Sequence, residues 1–213
     1  MRKLILLYSI SLFIIPAITL LICYQIHVIY YDLTSIPFID GEVSVSLIGR
    51  QEYTIWVFRL GLFLYALTSV LFYFKISNFF YSIGAKNKFK ALSILANFSL
   101  CVYLIALGKQ ESFYEVLRRL SIIFFIASMY INHIYLIRML RFLKLEKKIQ
   151  FSNVYLLIFY TIILLMTVLV MIGLPWVNPL FKYPDQLKNI IEWNLLFLTI
   201  FFYIPLSQIV KKF

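Results

Sequence analysis

An all-α bundle of six membrane-spanning helices with both termini cytoplasmic is the fold this sequence predicts, and three observations predict it. The chain is 63% hydrophobic and 14% charged, where soluble domains run about 45–50% apolar and about 25% charged. Its mean hydropathy is +0.92, and six stretches reach the roughly 20 residues that cross a bilayer core. Lys and Arg gather in alternate loops, as they do on the cytoplasmic side of a membrane protein. A water-soluble enzyme, a disordered tail and a fibrous repeat are excluded. The 213 residues leave no room for a separate catalytic domain, so 1–213 is read as one transmembrane domain.

The first span, Leu4–Ile26, follows Arg2 and Lys3. It is too long for a signal peptide and no small-residue cleavage site follows it, so it is expected to stay in the mature protein. The loop from about His27 to Thr54 carries Pro37, Gly41, Gly49 and most of the acids. Between Glu42 and Ile48 polar and apolar residues alternate, which predicts a short strand in a structured non-cytoplasmic loop. The second span is Ile55–Phe74. The third, Ala91–Leu107, is short and carries Asn97, which leaves five spans plus a re-entrant segment as the alternative. Val116–Leu140, Asn153–Trp176 and Ile190–Val210 complete the set. Pro16, Pro175 and Pro205 lie in or near spans and predict kinks.

Charge tests that count. With six spans, one side takes Arg2, Lys3, Lys75, Lys86, Lys88, Lys90, Arg138, Arg141, Lys144, Lys147, Lys148, Lys211 and Lys212 against Glu146 alone. The other side is close to neutral, so nearly the whole formal charge of +11 sits at one end. The excess is what cytoplasmic loops carry, and no nucleic-acid partner is expected. Cys23 and Cys101 fall inside apolar runs, which argues against a disulfide framework. Walker, HExxH and CxxC motifs are lacking, so no metal or cofactor is expected.

Ionisable groups inside a membrane are costly and mark function first. Arg59 sits four residues into the second span, roughly 6 Å below its outer end. Glu192, Arg118 and Arg119 lie at similar depth on the same, non-cytoplasmic side. Two compatible readings follow: Arg59 and Glu192 pair between helices, or the guanidinium groups hold a lipid phosphate, whose oxygens Arg matches bidentately. Asn132 and His133, deep in the fourth span, read as interhelical hydrogen-bonding groups. His27 with Asp32 and Ser44 or Ser46 has the residue types of a catalytic triad, although sequence gives no distances.

Two stretches resemble a known family. Ser44-Val45-Ser46-Leu47-Ile48-Gly49, followed by Glu52-Tyr53-Thr54-Ile55-Trp56-Val57-Phe58-Arg59-Leu60-Gly61, is similar to the first-loop signature of a six-span membrane family. Ile191-Glu192-Trp193 opening the sixth span and Phe125-Ile126-Ala127-Ser128 in the fourth are further points of likeness. That family holds the post-GPI-attachment lipid-remodelling factor, the damage-regulated autophagy modulators and the yeast Sfk-type proteins. The resemblance to the remodelling branch implies reacylation of glycosylphosphatidylinositol (GPI) lipid in the Golgi or endoplasmic reticulum. Arg59 would hold the anchor phosphate, Glu192 would orient Arg59, and Ser44, Ser46 and Glu52 would close over the inositol. No residue is singled out as catalytic base or oxyanion donor. The other branches imply a non-enzymatic regulator that binds a GPI or phosphoinositide-type headgroup or a protein partner, with the lysosomal or plasma membrane as its place. Where the family often carries a His or an acid, near the start of the fourth span, this chain has Arg118 and Arg119. A channel or transporter is disfavoured, since no span carries repeated charge or inverted halves.

Overall fold

The structure, a computed structural model, describes residues 2–31, 36–85, 87–173 and 184–211. They form α1 (Arg2–Tyr31), α2 (Val45–Arg50), α3 (Ile55–Ser82), α4 (Phe89–Ala106), α5 (Ser112–Leu145), α6 (Asn153–Ile172), α7 (Pro184–Phe201) and α8 (Tyr203–Val210). No strand occurs among the described residues. Among the described residues, six helical segments are long and apolar enough to cross a membrane, the last being α7 and α8 taken together. Asp32, Pro175 and the Trp176 end of the fifth span lie outside the described residues.

The helices outrun the apolar stretches that announce them. α5 has 34 residues, about 51 Å against a hydrocarbon core of about 30 Å. Arg141 and Lys144 are therefore carried on its last turns beyond the apolar stretch, with Arg138 at the end of that stretch. The weak third span is helical from Phe89 to Ala106, and the amide nitrogen of its polar residue is bonded inside the bundle while the amide oxygen has no partner among the described residues. Asn97 donates through Nδ2 to the Ser69 hydroxyl of α3 at 3.0 Å and to the Ser93 carbonyl at 2.8 Å. Such a group is tolerated where neighbouring helices supply its partners.

Proline acts differently at two places. Pro16 lies within α1, which continues to Tyr31. Pro205 has no N–H to give the carbonyl four residues back, and the sixth span breaks there, α7 ending at Phe201 and α8 starting at Tyr203. The break seats Phe202 and Tyr203 in the core, where both are fully buried with Phe72, Tyr73, Phe80 and Phe89. Tyr73 and Tyr203 share a hydroxyl–hydroxyl hydrogen bond of 3.2 Å across the bundle.

Asn132 and His133 are fully buried on α5. Neither amide atom of Asn132 nor either ring nitrogen of His133 has a hydrogen-bond partner among the described residues, so the interhelical bonding expected of them is not formed. His133 instead stacks on Phe202 with centroids 3.9 Å apart and planes 7° from parallel. A phenyl ring keeps that stack and removes two unsatisfied polar atoms, each of which costs about 1–3 kcal/mol when buried. His133→Phe is therefore expected to raise the melting temperature in detergent, and a fall would show that the imidazole nitrogens are engaged.

Candidate functional site

The loop before α2 does not form the strand its alternation predicts. Ser44 takes an extended backbone and accepts the Leu47 N–H at 3.0 Å, which is the geometry of a helix N-cap. Val45, Ile48 and Gly49 are the buried residues of the six-residue helix that follows. That is the i, i+3, i+4 pattern of one helical face, which a short alternating run also satisfies. Gly49 lets this face reach the ring of Phe58, since a Cβ there would lie 2.8 Å from it.

One face of α7 stitches the loop to the bundle. Asn194 Nδ2 donates to the Phe38 carbonyl at 3.1 Å, Asn189 Nδ2 to the Gly41 carbonyl at 2.8 Å and Trp193 Nε1 to the Val43 carbonyl at 2.8 Å. Gly41 sits at φ +65°, and a Cβ would come 2.1 Å from the Gln186 carbonyl oxygen, so only glycine fits this approach. Glu192 completes the seam. Its carboxylate accepts the Ser46 N–H at 3.2 Å, and the Val45 N–H as well. The first-turn donors of α2 are thus divided between Glu192 and Ser44, which leaves no orphan there.

The triad reading falls partly outside the described residues. His27 Nδ1 lies 2.7 Å from Gln51 Oε1, and Ser44 is occupied as the cap of α2 with Ser46 Oγ at 3.1 Å from its own. Asp32 is outside the described residues.

Arg59 does not meet Glu192, and no ion pair joins them among the described residues. Its Nε donates to the Leu104 carbonyl at 3.1 Å, and its terminal amino group donates to the Leu107 carbonyl. These are carbonyls at the C-terminal end of α4, which lack intrahelical partners, and a guanidinium is a favourable cap for them. Arg118 acts on the same turn, donating to the Lys109 carbonyl at 2.6 Å and the Ala106 carbonyl at 3.3 Å. Arg119 is exposed and pairs with Glu115 one turn earlier.

The structure nevertheless brings several of the expected residues together. Ser46, Arg118, Arg119 and Glu192 line one recess, joined by Arg50 and Tyr103, with about 640 Å³ of atom-free space including its open mouth. Glu52, Ser44 and Arg59 do not line it. Arg50 was visible only as one basic residue in a loop, yet it makes no hydrogen bond or ion pair among the described residues, and its charge acts on Glu192. Tyr103 carries no signal that separates it from other span aromatics. No group of His, Cys, Asp and Glu among the described residues is placed to hold a metal ion.

No family model, curated protein or solved structure matches the chain.

Proposed function

We propose that this protein binds the headgroup of a phosphate-bearing membrane lipid, of the GPI or phosphoinositide type, in the recess between α2, α5 and α7. One observation carries the reading: three arginines from two elements line a single recess at the α2 end of a membrane bundle. Among the described residues Arg50 makes no hydrogen bond or ion pair, and Arg119 pairs only with Glu115, an exposed neighbour on its own helix. Guanidinium groups in that state have donors to give to phosphate oxygens. The α2 end faces the lumen in this reading, since the basic residues between α3 and α4, at the end of α5 and after α8 belong on the cytoplasmic side. The Golgi or endoplasmic reticulum is the compartment that goes with GPI lipid.

Reacylation of that lipid rests on the family resemblance. The alternative, a non-enzymatic membrane regulator, is favoured by the engagement of His27 with Gln51 and of Ser44 with the N-terminus of α2. A regulator that binds lipid would share the headgroup site with the enzyme, whereas one that binds a protein partner would not need it.

The test is binding of a soluble inositol phosphate to the full chain in nanodiscs, with Arg50→Ala and Arg119→Ala combined. Neither substitution removes a bond that closes a helix end. Loss of charge-assisted hydrogen bonds of about 1.5–3 kcal/mol corresponds to roughly ten- to hundredfold weaker binding. The wild-type affinity should also fall with added salt. Unchanged affinity in the double variant would sink the reading.

A further inference from the structure

The arginine recess does not end at its floor. Tyr103, Ile122 and Glu192, which line it, also line a second space that runs into the bundle. This inner crevice, with about 580 Å³ of atom-free space including its open parts, is walled by Phe58 and Leu62 of α3, Leu100 of α4, Phe125 of α5 and Leu196 of α7. Its lining extends from Glu192 to Ile200 along α7, about 12 Å at the helical rise. Its residues are almost all apolar, with hydroxyl groups only on Tyr65, Tyr103 and Thr199 among the lining residues.

The walls of this crevice are unusual in how they are joined. α4 packs closely on α5 and α3 on α4, but α5 and α7, which face each other across the space, scarcely touch. The α5–α7 side of the crevice is therefore loosely packed. Helices in a bundle gain stability by dispersion contacts, and a void between them forfeits those contacts on every wall. A headgroup alone has no use for an apolar slot beneath it. Nor does a lipid whose chains all remain in the bilayer.

We infer that the crevice is a binding site for one long acyl chain, which passes between α5 and α7 and lies inside the bundle beneath the arginine recess. The ligand class is an amphiphile with a phosphate headgroup and at least one long hydrocarbon chain. This rests on the headgroup reading for the identity of the amphiphile. Tyr103, Ile122 and Glu192 form the neck, where the polar part of the molecule gives way to its chain. The slot between the helices holds a single chain, so any second chain stays in the surrounding lipid.

The experiment uses the full chain in nanodiscs containing a phosphoinositide with a photoactivatable diazirine midway along one acyl chain. After irradiation, adducts are mapped by peptide mass spectrometry. Adducts on Phe58, Leu62, Leu100, Phe125 and Leu196 are expected, and Leu196→Trp, which fills the slot, should reduce them at least fivefold. Leu196→Ala, which widens it, should keep or raise them and guards against a filled variant that is merely misfolded. Binding of soluble inositol phosphate should be the same in all three. Adducts confined to bilayer-facing residues such as Leu64 and Phe124 would overturn the inference, whatever the headgroup does. Crevice adducts without soluble-headgroup binding would retire the arginine reading and leave the chain site standing. A diazirine fatty acid labelling the crevice as strongly as the phosphoinositide would assign the site to free fatty acid and overturn the phospholipid identity.

Discussion

Glu192→Ala is expected to release α2 and the loop before it from the bundle. The carboxylate accepts two first-turn N–H groups of α2, and hydrogen bonds to a charged group contribute about 1.5–3 kcal/mol to stability. Alanine leaves those donors without an acceptor in a place that is only partly open to solvent, so the loss should fall in that range or somewhat above it. Glu192→Gln keeps one acceptor oxygen and should lose about half as much. Two measurements separate local release from general unfolding. The first is thermal unfolding in detergent, where Glu192→Ala melts earlier than Glu192→Gln and both earlier than wild type. The second is maleimide labelling of Val43→Cys, in a background with Cys23 and Cys101 replaced by alanine. Val43 is 1% exposed, so its labelling reports detachment of the loop. Faster labelling at temperatures well below melting is the expected result. Labelling that rises only together with global melting would show that Trp193, Asn189 and Asn194 hold the loop without Glu192.

The same residues show what could be read from the chain beforehand. The six spans were legible because hydropathy is integrated over about 20 residues, and a single Asn97 or Pro16 cannot cancel such a sum. Span ends were not, because a helix stops where its backbone bonding fails rather than where its side chains turn polar. α3 accordingly runs on to Ser82 and α5 to Leu145. Around α2 the alternating run fits both a strand and one buried face of a short helix. The Ser44 cap decides between them, and a cap is a matter of backbone angle that residue types only permit. Depth and charge were enough to single out Arg118, Arg119 and Glu192, and the resemblance singled out Ser46, which shares their recess. Pairing was not legible. Arg59 goes to the carbonyls of Leu104 and Leu107, and backbone acceptors at a helix end look the same whatever their side chains are. The crevice walls carry no mark either, since Leu100 and Leu196 are leucines among many.

The other large effect belongs to the crossing of α1 and α3, far from any charge. Gly61 faces Thr19, and a Cβ on it would stand 2.0 Å from Thr19 Oγ1, 2.5 Å from Cγ2 and 2.7 Å from Cβ. Thr19 cannot swing aside at little cost. It is buried, its β-branched side chain has few rotamers in a helix, and its hydroxyl donates to the Ile15 carbonyl at 2.7 Å. Gly61→Ala should therefore push the helices apart. Alanine's better helix propensity offsets this by about 1 kcal/mol, while forcing atoms into a closed interface costs about 1–3 kcal/mol or more. A net loss is expected, larger again for Gly61→Leu. Thr19→Ala removes two of the three clashing atoms and leaves the Cβ, so the double variant should recover most of the loss but not all of it. The ordering of melting temperatures in detergent is then wild type, Gly61→Ala with Thr19→Ala, Gly61→Ala, Gly61→Leu. If Thr19→Ala rescues nothing, the close approach at Gly61 is not what holds α1 to α3. If Gly61→Ala is as stable as wild type, the two helices are further apart than the structure has them. Rescue that exceeds the sum of the separate effects is the coupling expected of residues in contact.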